Sequence, residues 1–385
     1  MPEFISSATR FVALPDGFPM KRGGVLNGSR IAYESYGNLN ETRNNVILIL
    51  TGLSPSAHAA SHEDDPTVGW WEGMIGPGRP VDTDEWHVIC INALGSCKGS
   101  TGPASVDPRT GESYRLSFPE LSIEDIADAA ASAVRALGIP HVECVIGASM
   151  GGMASLALIT RHPELVRNHI NISGAVHSTP FASAIRSVQR EAIQTDAYWR
   201  RGQYNQEQYP ENGMITARKL GLISYRSALE WDGRFGRDKA GEWGSSSPHF
   251  APELPVEMYL DYHARRFART FDPNSYLYLS RSIDRFDLGD MGTLAGMHLE
   301  RAMVIGVRSD LLFPLHQQDQ IAEGLRTGGT DVTFLAMESE EGHDAFLIDL
   351  RRFGPPIARF LSSLLPQLRD AAPLFSNRRA GGSLD

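Results

Sequence analysis

Gly147-Ala148-Ser149-Met150-Gly151 is the stretch of this 385-residue chain whose residue types point most directly to chemistry. The apolar Val145-Ile146 leads into it and a helix-prone run, Ala154-Ser155-Leu156-Ala157-Leu158, leads out. G-x-S-x-G between a strand and a helix is a nucleophile elbow: the serine sits on a tight, strained turn that needs neighbours without a Cβ, and its hydroxyl stands clear of the backbone. The following helix directs its first N–H groups to where an oxyanion would develop. A serine hydroxyl is a weak nucleophile until a histidine takes its proton, and the histidine needs a carboxylate to fix its tautomer and stabilise its charged form. Asp310, after the strand-like Ala302–Val307, and His343, after Val332–Met337, are the candidates. The Met150 N–H and the Leu53 N–H, the latter in the loop after an early strand, are the expected oxyanion donors.

Composition narrows the alternatives. A hydrophobic fraction of 42% with 21% charged residues is ordinary for a folded globular chain. The formal net charge of −10, with no lysine- or arginine-rich block, argues against a nucleic-acid or anionic-membrane surface as the main function. Three cysteines, Cys90, Cys97 and Cys144, form neither a disulfide framework nor a zinc-site spacing. Cys90 and Cys144 lie in apolar, strand-like runs and read as core; Cys97 is in a loop. With no signal-like start and no 18-residue apolar run, cytoplasmic residence is the expectation.

The elements that must position the serine can be read in order. Gly23–Tyr36 holds an Asn27-Gly28 pair between alternating stretches, which predicts a hairpin. Asn45–Leu50 and His87–Asn92 read as strands buried on both faces, and the glycine-rich Leu94–Pro103 that follows lacks the spacing of a phosphate-binding loop. Ser122 is a candidate cap for a helix over Ile123–Leu137, stopped by Gly138 and Pro140; strands Val142–Gly147 and His169–Ser173 come next. Alternating strands and helices predict a mostly parallel α/β sheet. The rhythm breaks between residues 179 and 299, where Ala182–Thr195, Met214–Leu222 and Glu257–Thr270 have helical periodicity and a loop near Asp238–Pro252 is rich in Gly and Ser. The expected organisation is a core over 1–178 and 300–385 with a helical cap inserted at 179–299. The tail from about Phe375 is expected to fray.

The order Ser149, Asp310, His343 at successive strand ends is similar to that of the α/β-hydrolase fold. Further stretches resemble the homoserine O-acetyltransferase family and its acyl-switching relatives. They are Leu50-Thr51-Gly52, Gly69–Gly78, Asn92–Cys97 through Thr101-Gly102-Pro103, the elbow with its Met-Gly-Gly-Met, Val188-Gln189-Arg190, Phe313-Pro314 and Gly342–Leu347. The resemblance spans roughly residues 20–365. It implies acyl transfer from an acyl-CoA to Ser149 and on to an amino acid hydroxyl in ping-pong fashion, a homodimer, and no metal or bound cofactor.

The chain departs from the acetyl-transferring pattern in two places. After Thr51-Gly52 it carries Leu53-Ser54-Pro55, where those enzymes have a polar residue followed by a small one; three residues before Gln189 it carries Arg186 in place of Asn. A guanidinium can hold a carboxylate through two hydrogen bonds, so Arg186 suits the free carboxylate of a succinyl group. Both departures resemble the branch of the family that succinylates serine for cysteine synthesis, with succinyl-CoA as co-substrate. The resemblance also carries over Arg218 as partner of the amino acid carboxylate and Asp344 as acceptor for its ammonium, with Arg226, Arg234 and Arg237 as rivals to Arg218. Homoserine as acceptor, a plain carboxylesterase and a catalytically silent binding module are the alternatives.

Overall fold

The computed structural model describes residues 5–236 and 252–366. Eight strands make the main sheet: β1 (Arg10–Ala13), β2 (Arg30–Tyr36), β3 (Val46–Leu50), β4 (His87–Ile91), β5 (Val142–Ala148), β6 (Val166–Ile172), β7 (Arg301–Val307) and β8 (Asp331–Met337). Their spatial order is β1-β2-β4-β3-β5-β6-β7-β8, parallel from β4 to β8, with β2 antiparallel to both of its neighbours.

Every residue of β3 is buried, as a strand covered on both faces requires. Val46, Leu48 and Leu50 enter one core, which also holds α1 (Ile123–Ala136) and α2 (Met150–Arg161). Ile47 and Ile49 enter the other, against Trp71, Phe353 and Phe360. The register pairs Leu50 with Gly147, Ala148 with Ile172, and Ile172 with Ile305, so β3, β5, β6 and β7 end at one edge. That edge is where open parallel α/β sheets place their ligands. Cys90 and Cys144 are core residues, and Cys97 is buried too, its thiol pushed up to about 12 by burial.

Ser122 caps α1 as expected: its hydroxyl accepts the Asp125 N–H while the Asp125 carboxylate accepts the Ser122 N–H. Between β6 and β7 the chain runs through α3 (Pro180–Thr195), α4 (Glu211–Tyr225), α5 (Ala228–Arg234), α6 (Pro255–Ala268), α7 (Pro273–Arg285) and α8 (Met291–Ala295). The three helices expected in this segment are present: α3 and α4 are longer than expected by a few residues, and α6 lies two residues earlier than expected at both ends. After β7 come α9 (Leu315–Thr327), α10 (Ala345–Ile348) and α11 (Leu350–Ser362).

The hairpin expected at Asn27-Gly28 does not form. Val25–Leu26 pairs back with Phe18–Pro19, whereas β2 pairs with β1 and β4. The turn is real, with Gly28 at φ +57°, but the strands on its two sides belong to different sheets. The loop near Asp238–Pro252 (save its last residue), Arg237 and the tail from Phe375 lie outside the described residues.

Candidate active site

Ser149 caps α2 with φ 57° and ψ −124°, a strained backbone for any residue but glycine. Its N–H is held by the Ile172 carbonyl at 2.9 Å. The flanking glycines are dictated by close approach: a Cβ on Gly147 would lie 2.2 Å from the Gly151 carbonyl oxygen, and one on Gly151 would lie 2.1 Å from the Leu50 carbonyl oxygen. The two glycines thus let β5, α2 and the end of β3 meet without a backbone clash.

His343 brings Nε2 to 2.7 Å from Ser149 Oγ and Nδ1 to 2.6 Å from Asp310 Oδ2. The other Asp310 oxygen accepts the Leu312 and Phe313 N–H groups, both at 2.9 Å. These bonds occupy the carboxylate and leave the Nδ1–H tautomer, whose free Nε2 lone pair faces the serine. The imidazole is buried, with the Phe313 ring stacked on it at 4.8 Å. Burial lowers the His343 pKa, but the charge and hydrogen bond of Asp310 and the charge of Asp344 outweigh it, and the net shift is upward. The three expected residues are therefore brought together in hydrogen-bonded sequence, able to move a proton from Ser149 Oγ to His343 Nε2 while Asp310 steadies the resulting imidazolium.

Ser149, Leu53, Tyr225 and His343 line two pockets at once. The larger, about 100 Å³, is walled by Gly52, Ser54, Pro55, Trp70 and Asp344. The smaller, about 40 Å³, is walled by Arg186, Gln189, Tyr276 and Phe313. Gly52–Pro55 accordingly faces the first pocket and Arg186 the second. As the first residue of α2, Met150 has an N–H without an intrahelical acceptor, which makes it available to an oxyanion.

Arg186 is 7% exposed, its Nε donating to Asp284 Oδ1 at 2.6 Å and its Nη2 to Ser178 Oγ at 2.7 Å. Arg190, one turn on, donates to the other oxygen of Asp284, also at 2.6 Å. Two guanidiniums share one carboxylate, so the cluster keeps one positive charge beside the smaller pocket.

Asp344 lies on the wall of the larger pocket, with Oδ2 3.3 Å from Arg226 Nε. Burial raises its pKa, against the lowering charges of His343, Arg226 and Arg218. Arg218 is not placed on the wall of either pocket. Its guanidinium lies 4.4 Å from the Phe267 ring and 5.8 Å from the ring of Tyr225, and its Nε is buried with no hydrogen-bond partner. Arg226 is committed to Asp344, Glu230 and Glu341, and Arg234 to Glu230. Sequence reading missed Tyr225 and Tyr276, which carry no spacing signal. It also missed Asp284, although two arginines four apart on one helix face signal a shared acid. Among the described residues no group of His, Cys, Asp and Glu is placed to hold a metal ion, and no helix is long and apolar enough to cross a membrane.

A serine elbow at the end of β5, an acid after β7 and a histidine after β8 define an α/β-hydrolase-fold enzyme, and the family model for the alpha/beta hydrolase fold matches residues 45–350. Within that fold the chain belongs to the family of amino acid O-acyltransferases to which the following relatives are assigned. It is 64% identical over 371 residues to L-serine/homoserine O-acetyltransferase of Streptomyces lavendulae, covering 94% of this chain and 99% of that one. It is 58% identical over 378 residues to serine O-succinyltransferase of Xanthomonas campestris pv. campestris, covering 94% and 100%. Among solved structures, homoserine O-acetyltransferase from Bacillus anthracis superposes with a TM-score of 0.83 at 25% identity, over 92% of this chain and 97% of that one. Esterase E22 superposes equally well, with a TM-score of 0.83 at 28% identity, over 92% and 99%.

Proposed function

We propose that the protein transfers a succinyl group from succinyl-CoA to the hydroxyl of L-serine, giving O-succinyl-L-serine for cysteine synthesis. The observation that carries the choice of donor is Arg186, buried on the wall of a pocket that also touches Ser149, in a cluster with one uncompensated positive charge. A succinyl carboxylate would balance that charge; an acetyl group would leave it unbalanced.

In the first half-reaction Ser149 Oγ gives its proton to His343 Nε2 and attacks the thioester carbonyl. The Met150 and Leu53 N–H groups receive the oxyanion, and the thiolate of CoA leaves with the proton from His343. In the second, the serine hydroxyl gives its proton to the same nitrogen and attacks the succinyl ester, and Ser149 is restored. Asp344 on the wall of the larger pocket accepts the substrate ammonium. Arg218, with a donor uncommitted, supplies positive charge for the substrate carboxylate from beyond Tyr225. No metal or bound cofactor enters either step. The inserted helices keep water from the acyl-enzyme, because hydrolysis is the competing reaction. The three cysteines, all buried and unpaired, suit a reducing cytoplasm, and a homodimer is the expected assembly.

The Streptomyces lavendulae relative supports a second reading, acetyl transfer to serine or homoserine, since one methylene in the acceptor is a small discrimination for any pocket. Release of CoA from acetyl-CoA or succinyl-CoA, measured against serine, homoserine and water, separates the readings. Succinyl-CoA with serine should be the fastest combination; activity confined to acetyl-CoA and homoserine would overturn the assignment, and equal rates with water would mark a hydrolase.

A further inference from the structure

The loop that carries Gly52–Pro55 has no regular secondary structure, yet it must place the Leu53 N–H to within a few tenths of an ångström. It is pinned where it returns to the core. Asn92 Nδ2 donates to the Pro55 carbonyl and Trp70 Nε1 to the Ser56 carbonyl, each at 3.0 Å, and the Tyr36 hydroxyl accepts the Ala59 N–H at 2.9 Å. Among these fastenings lies His58, with a side chain only 5% exposed.

Both nitrogens of His58 face groups that accept. Nδ1 is 2.9 Å from Glu34 Oε2, and Nε2 is 2.8 Å from the Thr67 carbonyl oxygen. A carbonyl has no proton to offer. Glu34, fully buried in β2 where strand alternation would put an apolar residue, already accepts from Thr9 Oγ1 at 2.8 Å and from the Tyr36 hydroxyl at 3.1 Å. A neutral imidazole has one N–H and satisfies one of the two contacts; an imidazolium satisfies both. The remaining polar neighbours agree. Ser6 Oγ lies 3.3 Å from Nδ1 and Thr67 Oγ1 3.2 Å from Nε2, and the Thr67 hydroxyl donates to the Asp65 carboxylate at 2.7 Å. The titratable groups around His58 are thus Glu34 and Asp65, both acids, and Tyr36, whose phenol is kept protonated by burial and whose ring in turn meets His62. Burial lowers the His58 pKa, but the Thr67 carbonyl, Glu34 and Asp65 outweigh it and raise it.

We infer that His58 is a positioning residue for acyl transfer: as a doubly donating imidazolium clamped between Glu34 and the Thr67 carbonyl, it fixes the Gly52–Pro55 loop and with it the Leu53 oxyanion donor. The inference rests on reading Ser149 as the nucleophile and Leu53 as a donor to the oxyanion. The clamp holds below the His58 pKa and opens above it, when Nε2 or Nδ1 must turn a lone pair on an acceptor. His343, which must be neutral to work, has the opposite requirement, so the two histidines bound the working pH from opposite sides.

Two measurements test the clamp. The ring nitrogen shifts of histidine-labelled enzyme, assigned with His58→Gln, should show His58 mostly in the form with both nitrogens protonated at pH 6.5, where an ordinary histidine is about half neutral. The acylation burst with p-nitrophenyl acetate, which needs only the triad and the oxyanion donors, should slow by between about ten- and a hundredfold in His58→Gln, the loss that a misplacement near 1 Å carries. The acid limb of the burst, set by His343, should stay in place. A His58 that is mostly neutral at pH 6.5, or a folded His58→Gln variant with the wild-type burst, overturns the inference. If His58→Gln does not fold, the wild type decides: its burst rate must fall as His58 loses a proton, and a burst that stays level through that titration overturns the inference. Failure of every acyl-CoA donor would sink the proposed substrates and leave the burst and the nitrogen shifts to judge His58.

Discussion

His343 takes a proton from Ser149 only while it is neutral, and the groups around it pull its pKa both ways. Burial and Arg186 lower it; Asp310 and Asp344 raise it, and the net shift is upward. A base with a raised pKa loses activity as pH falls through that value, so kcat/KM with acetyl-CoA should show an acid limb that rises with pH, with its midpoint above about 6.5, the ordinary value for histidine. Two substitutions should move the midpoint in opposite directions. Arg186→Asn removes a charge that disfavours the imidazolium, so the midpoint should climb; Asp344→Asn removes one that favours it, so the midpoint should drop. Shifts in the same direction would show that neither charge is felt at the imidazole. Arg186→Asn also tests the donor. Loss of a charge-assisted hydrogen bond costs about 1.5–3 kcal/mol, so kcat/KM with succinyl-CoA should fall about ten- to a hundredfold further than with acetyl-CoA. Equal losses with both donors would remove Arg186 from its role.

At the scale of elements, the elbow depends on how closely β5, α2 and β3 approach. Gly147→Ala would put a methyl 2.2 Å from a backbone oxygen that no rotamer change can move. Overpacking of this kind costs about 1–3 kcal/mol, and relief has to come from the turn that holds Ser149. The variant should lose far more of its acylation rate than of its thermal stability; a near-normal p-nitrophenyl acetate burst would show that the turn tolerates the methyl. This element was legible in the sequence because strand, turn and helix each have their own local signature. The partner of Arg186 was not. Its acid, Asp284, lies on α7, 98 residues away in the chain, and nothing local to Arg186 and Arg190 indicates which element their shared face meets. Nor could the alternation of β2 show why Glu34 is buried, because the reason is His58, 24 residues away and from a loop. The misplaced hairpin has the same origin: Asn27-Gly28 specifies a turn, but pairing is decided by the strands that β2 finds in the sheet. Since Arg186, Arg190 and Asp284 are largely buried, Asp284→Asn would leave two guanidiniums without their counter-charge. Breaking such a group costs about 3–5 kcal/mol. Asp284→Asn should therefore unfold at a distinctly lower temperature than the wild type, and an unchanged melting curve would mean that the cluster contributes little to holding α3 on α7.

The molecule as a whole carries a net charge of −10 and still leaves apolar side chains exposed on the helices between β6 and β7. Phe181 and Val188 on α3 are 55% and 52% exposed, and Ile223 on α4 and Tyr262 on α6 are exposed as well. Helix α3 packs on α4 and α4 on α6, so these side chains decorate one contiguous group of helices. In the homodimer proposed above, this surface would meet the same surface of a second copy. Burying it there would also hold α3, and Arg186 with it, in place over Ser149. Light scattering should report a dimer for the wild type, and Phe181→Glu with Val188→Glu, which puts like charges into a self-complementary contact, should give a monomer. Because neither residue lines the pockets, the p-nitrophenyl acetate burst should persist in the monomer. Selectivity for succinyl-CoA should weaken, as α3 loses an outer support while the triad keeps its own. A wild-type monomer would remove the dimer altogether; a double variant that remains dimeric would place the contact on another face.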